Sequence, residues 1–464
     1  MPWAVVLASV SEDGVDSFAT THWRIATAER LGQWAMKEVE KLLPEGGDGN
    51  VKQAKGGGVY AGESGVAITL LRVASALADP EESALSKAAG GNSRKSTMQR
   101  ACLEAAEKVL ERDQAFKKPK RLATMLEGEA GRLAALACVQ HALARPREVV
   151  EATLVQLLVD LPRQFEADMK PGECEVLYGR AGFLHALARV RHLMGPGENL
   201  GGKTFWEVAS RVAEEVLQEG SREAANLGKC GGVMLWRWHG RTYLGAIHGV
   251  AGILHALLQL ADVVKGLRGG QQWIRRIYAS VAWLLEARFP DSGNLPSSLD
   301  ETGRMRDKLV HFCHGATGLV PLLRIARAAF PQDAPKYDAA AKKAADVIRE
   351  RGFLTKGPGL CHGVAGSGYA LLAAGGPSSW DDAARMALYV LDACGGPCAY
   401  AQRTDHPASL YEGYLGAVCL YADLAACVSA DGGGFTQRFK REGPAAIPFP
   451  AFDTAAESSV DANA

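Results

Sequence analysis

The chain carries no net charge: 52 Lys and Arg balance 52 Asp and Glu over 464 residues. That balance excludes a nucleic-acid binder whose affinity rests on a basic field, and there is no polybasic or polyacidic tail. Long apolar runs are missing too. No stretch reaches about 18 uncharged apolar residues, so no bilayer-spanning helix is expected, which leaves room only for peripheral membrane contact. The first ten residues, MPWAVVLASV, lack a basic flank and run at once into Glu12 and Asp13, unlike a secretory signal. Aromatics make up only 7%. The ten cysteines are scattered rather than concentrated, which is the usage of a reducing compartment. A cytoplasmic protein is expected, with cysteines serving as core, ligand or nucleophile. Cys394 and Cys398, in CGGPC, do not have CxxC spacing and read as incidental thiols in a glycine-rich turn.

What is present is glycine, 52 residues of it, in a repeated place. A G-x-x-G leading into a small and apolar run recurs seven times, at Gly62, Gly128, Gly179, Gly249, Gly315, Gly363 and Gly413. Copies lie about 50–70 residues apart, the length of one helical hairpin with its connections. The segments after each pair are Ala- and Leu-rich at helical spacing and read as buried inner helices. Between them, stretches such as 207–219 and 339–351 mix charge with apolar positions and read as outer helices with one wet face. The fold expected is all-α: a closed toroid, an (α/α)7 barrel of seven inner and seven outer helices. Its organisation is read as 1–50 for an N-terminal segment and first outer helix, 51–453 for the barrel, and 454–464 for a tail. The helix starts are expected to leave their first amides open on a concave face. The polar stretch 86–100 reads as a surface loop inserted between the first two repeats, and Met1–Asp16 finds no place in the repeat.

Two copies are chemically marked. The fifth reads His311-Phe312-Cys313-His314-Gly315 and the sixth Gly359-Leu360-Cys361-His362-Gly363. Cys-His therefore stands at the same position of consecutive hairpins, which brings Cys313 and Cys361 side by side at the inner end of the barrel. Two thiolates and an imidazole suit zinc, and three protein ligands leave a position open. Spacing alone does not choose the histidine, and an adjacent Cys361/His362 pair requires an irregular loop before the helix. A Cys313–Cys361 disulfide competes but is disfavoured by the compartment. His248 occupies the same place in the fourth copy, where a mouth-facing histidine suits general acid–base work. His185 and His255 lie deeper and read as packed histidines with a local partner.

These residues resemble the lanthionine synthetase C-like family. Its pattern HWCHGAPG is close to HFCHGATG here, with Phe312 for Trp and Thr317 for Pro. Its KGxGLCHGxAG is close to the run from Lys356 to Gly366. Further matches are Leu177–Gly182, Tyr243–Gly249, Ser409-Leu410-Tyr411-Glu412-Gly413 and Phe449-Pro450-Ala451-Phe452. The likeness runs from about Gly56 to Asp453 and favours the eukaryotic branch, although MPWAVVLASV has no counterpart to that branch's N-terminal Arg segment. The resemblance implies an (α/α)7 barrel holding one zinc through Cys313, Cys361 and His362. It implies a glutathione transferase, with glutathione bound by Lys356 and Arg403. It further implies that the thiolate adds to dehydroalanine or dehydrobutyrine in proteins or peptides to give a thioether, with His248 catalytic. A zinc- and glutathione-binding adaptor without turnover would use the same ligands. A hydrolase like the six-hairpin glycosidases, using Glu63, Glu129 or Glu412, would have no need of two CHG motifs.

Overall fold

The computed structural model describes residues 18–43, 57–79, 81–112, 123–163, 169–170, 172–194, 199–229, 231–299, 306–430, 434–442 and 447–453. The segments 1–16 and 454–464, singled out above, lie outside them. Fourteen principal helices alternate between two layers. They are α1 (Phe18–Leu42), α2 (Glu63–Leu77), α3 (Asn92–Arg112), α4 (Glu129–Ala142), α5 (Arg147–Val155), α6 (Arg180–Val190), α7 (Phe205–Asn226), α8 (Val250–Gln259), α9 (Gly270–Glu286), α10 (Ala316–Ala329), α11 (Ala334–Arg351), α12 (Val364–Ala374), α13 (Ser379–Leu388) and α14 (Leu415–Ala426). The only strands among the described residues are a two-residue pair, Asn199–Leu200 with Lys203–Thr204.

The even-numbered helices form the inner ring. Each packs on the next, and α14 packs back on α2, so the ring closes. They are apolar nearly all round: every residue of α12 from Val364 to Ala373 is buried. The odd-numbered helices form the outer layer. In α7 the buried residues Phe205, Val208, Ala209, Val212, Ala213, Val216 and Leu217 recur at helical spacing, a stripe with a polar back. Its start is fixed by a capping box, in which Thr204 Oγ1 accepts from Glu207 N at 3.2 Å and Glu207 accepts from Thr204 N at 2.7 Å. The first helix, α1, covers the last inner helix, α14. At the closing seam between α14 and α2, Arg72 Nε donates to both carboxylate oxygens of buried Asp423, at 2.9 and 3.0 Å.

One expectation fails in the outer layer. The stretch 86–100 is not a loop: its end belongs to α3, and Ser86 lies in a short helix, Ala84–Ala88. The first two turns of α3, NSRKSTMQ, are polar because they lie outside the core. Its apolar stripe, Cys102, Leu103, Ala105, Ala106, Val109 and Leu110, begins only in the second half.

The glycine repeat acts through the loops before the inner helices. The second glycine of each pair meets the carbonyl of the residue six positions earlier. A Cβ on Gly252 would run into the Ala246 carbonyl, and one on Gly366 into that of Leu360. The loop thus folds back onto the helix start, and this corrects the open-amide expectation. Val364, Ala365 and Gly366 donate to the carbonyls of Gly357, Pro358 and Gly359; Val250, Ala251 and Gly252 donate to those of Tyr243, Leu244 and Gly245. The amides are spent on the chain's own loop because backbone donors buried against the ring must find acceptors.

The same loops bond to one another around the ring. Tyr60 N donates to Leu126 O, Met125 N to Gly182 O, Val176 N to Ile247 O and Ala246 N to Phe312 O. Phe312 N donates to Cys361 O, Cys361 N to Tyr411 O and Tyr411 N to Tyr60 O. Seven loops are linked in a closed circle. The two residues before each first glycine therefore occupy equivalent slots. The earlier slot holds Tyr60, Leu126, Leu177, Ile247, Cys313, Cys361 and Tyr411, and the later one holds Ala61, Glu127, Tyr178, His248, His314, His362 and Glu412. All seven later residues are half-buried at the mouth of the barrel.

Candidate metal centre and its acid–base neighbour

Cys313 and Cys361 fill the inward slot of adjacent loops, and His362 the mouth-facing slot of the second. The Cys361 carbonyl accepts from both Phe312 N, at 2.9 Å, and Cys313 N, at 3.3 Å, which fixes the two loops in register. The sulfurs of Cys313 and Cys361 and a ring nitrogen of His362 lie within 4.8 Å of one another. His362 stands just before the cap of α12, Gly363, so the i, i+1 pair converges in irregular backbone. A tetrahedral zinc with sulfur at about 2.3 Å and nitrogen at about 2.1 Å spaces its donors roughly 3.5–4 Å apart. Two soft sulfurs and an imidazole in that space fit it. Neither cysteine is in a disulfide.

Burial pushes the Cys361 thiol well up, and neighbouring Cys313 adds to it. A cation bound there reverses that preference. At His362 burial lowers the pKa, but the hydrogen bond to Cys361 and the charges of Cys361 and Glu412 together outweigh it and the net shift is upward. Tyr60, in the inward slot of the first loop, sets its hydroxyl beside Cys361; burial and then the Cys361 charge raise its pKa well above the usual phenol. Its ring stacks on Tyr411, with centroids 5.1 Å apart.

His248 lies one loop away. Its Nδ1 is 2.7 Å from Glu175 Oε2, and Glu175 is 1% exposed. A carboxylate only accepts, so Nδ1 carries the proton and Nε2 is turned toward the mouth. Glu175 is itself held by the amides of Leu177, at 3.0 Å, and Tyr178. Trp238 covers one imidazole face, parallel within 2° at 4.3 Å. His314 continues the row, 6.2 Å from His248 between ring centroids. Burial, then His248, His311 and Lys356, push His314 down to about 4. His311 falls to about 4 through burial, Lys356 and His362.

Lys356 is exposed, and its charge bears on all three histidines of the marked loops. Arg403 is also exposed, its guanidinium 5.1 Å from the Tyr400 ring centroid. It sits on a turn whose next residue, Thr404, abuts Gly357. The two cations thus come from adjoining loops, Lys356 toward the histidines and Arg403 on the flank. Of the acidic residues considered above, Glu412 shares the mouth with Glu127, which burial and then Glu412 push up to about 7. Glu129 is tied to Arg132. His185 and His255 are buried, each bonded to Gln259.

Glu175, Trp238, Tyr60 and Glu127 escape the sequence reading. Tyr60 and Glu127 had a signal, because they stand in the same two slots as Cys361 and His362. Glu175 and Trp238 lie outside the G-x-x-G frame and had none.

A closed ring of helical hairpins with a Cys/Cys/His group that could hold a metal ion defines the class: a helical toroid with a thiol-rich mouth. The profile of the lanthionine synthetase C-like proteins matches residues 56–430, and the chain belongs to that family. It is 32% identical to glutathione S-transferase LANCL1 of Danio rerio over 307 residues, 66% of this chain and 71% of that one. It is 34% identical to LanC-like protein GCL1 of Arabidopsis thaliana over 266 residues, 56% of this chain and 57% of GCL1. Among solved structures, nisin cyclase superposes with a TM-score of 0.52 at 13% identity, covering 94% of this chain and 97% of its own. That likeness concerns the fold. No helix among the described residues is long and apolar enough to cross a membrane.

Proposed function

We propose that this chain binds zinc through Cys313, Cys361 and His362 and adds the glutathione thiolate to dehydroalanine or dehydrobutyrine residues of proteins or peptides. The observation that carries the reading is the convergence of two sulfurs and an imidazole within 4.8 Å, one loop from a carboxylate-oriented histidine. The name of LANCL1, a glutathione S-transferase, supports the choice of thiol. When bound, zinc supplies an open position and a charge that keeps a thiol ionised at neutral pH.

The chain's own residues do the rest. Lys356 offers a point charge and Arg403 a planar fork to the glutathione carboxylates. A new S–C bond forms at the β-carbon of the dehydro residue, and the π pair moves toward the neighbouring carbonyl. His248 takes up at Nε2 the proton the glutathione thiol loses and, as the imidazolium, gives it to the α-carbon while keeping the Nδ1 proton that faces Glu175. Trp238 holds that ring in plane and excludes water from one face.

Zinc analysis of wild type and Cys361→Ala, with mass spectrometry of a dehydrobutyrine peptide incubated with glutathione, tests the reading. One zinc per chain and a glutathione-mass increment, both lost in the variant, are expected. Zinc and glutathione binding with no adduct would instead make the protein a thiol-binding module, and an unchanged adduct in Cys361→Ala would overturn the metal role.

A further inference from the structure

The closing motif Phe449-Pro450-Ala451-Phe452 has no part in the chemistry above, yet it lies in the centre of the barrel. Phe449 and Phe452 are each 1% exposed and Asp453 is 3% exposed. The segment closes on itself: Phe449 N donates to Asp453 Oδ2 at 3.1 Å, and Asp453 N donates to Phe449 O at 2.9 Å. Ala451 is held at φ 58°, a left-handed conformation that a residue with a side chain adopts only when its surroundings fix it.

Two inner helices lock the segment in place. His255 of α8 sets Nε2 2.7 Å from Asp453 Oδ1, and Arg324 of α10 reaches Oδ2 at 3.3 Å. Gln259 donates to the Phe452 carbonyl at 2.8 Å. Burial works against the Asp453 charge, but Arg324 and His255 hold the carboxyl below its usual range. Asp453, Arg324 and Gln259 also line a cavity of about 960 Å³ among the C-terminal ends of α8, α10 and α12, opposite the mouth.

From this lock, contacts lead to both cysteines. Phe449 stacks on Phe312, with centroids 4.1 Å apart and planes within 15°, while Phe452 meets the same ring edge-on at 4.9 Å. Phe312 precedes Cys313, and its amide holds the Cys361 carbonyl. On the other side, Tyr411 Oη donates to Pro450 O at 3.0 Å. Tyr411 stacks on Tyr60, which faces Cys361, and its carbonyl accepts from Cys361 N at 2.8 Å.

We propose that Asp453 is a positioning residue for the metal centre: locked to His255 and Arg324, it braces the Phe312 and Tyr411 rings and so sets the spacing of Cys313 and Cys361. The inference rests on the zinc reading above. Outer partners of metal ligands typically alter metal affinity about 10–100-fold when changed, and this one acts through packed rings without touching a ligand.

The test compares wild type, Asp453→Asn and Tyr411→Phe. Zinc affinity is read by competition with a chromogenic chelator. The sulfur-to-metal charge-transfer spectrum is read after cobalt substitution, and folding by circular dichroism and melting of the metal-free proteins. Asp453→Asn is expected to weaken zinc about tenfold or more and to shift the cobalt spectrum while keeping its helical signal. Tyr411→Phe, which removes one hydroxyl, is expected to move both readouts the same way by less. If Asp453→Asn does not fold, Tyr411→Phe decides. Wild-type affinity and an unshifted spectrum in a folded variant, even with a lowered melting temperature, would overturn the positioning role and leave the zinc reading intact. A wild type that takes no zinc would overturn both.

Discussion

In the loops that open α4 and α6, the inward slot before the glycine pair carries Leu126 and Leu177; in those that open α10 and α12 it carries Cys313 and Cys361. All four loops bond to their neighbours around the ring, although at α10 the cap Gly315 turns to φ 127° and Ala316 N donates to Asn294 Oδ1, at 2.7 Å, instead of to its own loop. The mouth-facing slots differ as sharply, with Glu127 and Tyr178 on one side and His314 and His362 on the other. A shared scaffold fixes where side chains go, and the residue type in each slot decides whether the place is packing or chemistry. Half of the ring is a structural frame; the other half, from His248 to Glu412, gathers nearly all the reactive groups.

Substitutions at equivalent slots break or sharpen that contrast. The largest difference is expected between Cys361→Ala and Leu126→Ala. The first removes zinc and adduct formation altogether, measured by metal analysis and mass spectrometry. The second keeps one zinc per chain and lowers stability by about 2–5 kcal/mol, the cost of a buried leucine cavity, read by denaturant unfolding. Metal loss in both would mean the two half-rings are not separable.

Glycine substitutions should show no such asymmetry. A Cβ at Gly131 meets the Met125 carbonyl, just as one at Gly318 meets that of Phe312. Either Gly→Ala change is expected to cost about 2–4 kcal/mol, since a carbonyl in a loop bonded into the ring cannot step aside. Equal losses in melting experiments support a uniform frame, and a tolerant Gly131 would contradict it.

Glu175→Gln tests the border between the halves. The amide no longer holds the imidazolium of His248, so adduct formation is expected to fall about 100-fold with zinc content unchanged. Loss of zinc instead would place Glu175 in the frame.

The smallest effect is a pH dependence. Burial, then Glu412, push Glu127 up to about 7 from the ordinary carboxyl value of 4.5, so the folded state binds its proton more tightly than the unfolded chain. Its contribution to stability is present below about pH 4.5 and is lost as the pH rises through about 7. Relative to wild type, Glu127→Gln is therefore expected to gain stability across that window, by at most about 3 kcal/mol. A difference independent of pH would show that burial and Glu412 do not raise the Glu127 carboxyl.

Much of this was legible in the sequence. The G-x-x-G spacing located seven inner helices, and Cys-His before two of the pairs marked the donor set. Three things were not. Helix α3 was hidden by its polar opening turns, since its buried stripe starts only at Cys102. The first amides of the inner helices were expected to be open, but in α6, α8 and α12 their acceptors lie seven residues back in a loop whose course the sequence does not announce, and in α10 Ala316 N finds Asn294 Oδ1. Glu175 and Trp238 reach His248 only through the tertiary fold, from 73 residues away in the case of Glu175. The slot equivalence that places Tyr60 beside Cys361 was written in the repeat, but it acquires meaning only once the ring closes.

X-ray absorption at the zinc edge of the metal-loaded protein tests the central claim most directly. Two marked slots and one histidine predict two sulfur donors at about 2.3 Å and nitrogen or oxygen donors at about 2.0–2.1 Å, with one sulfur lost in Cys313→Ser. A shell of four sulfurs, or one with no sulfur at all, would contradict the account.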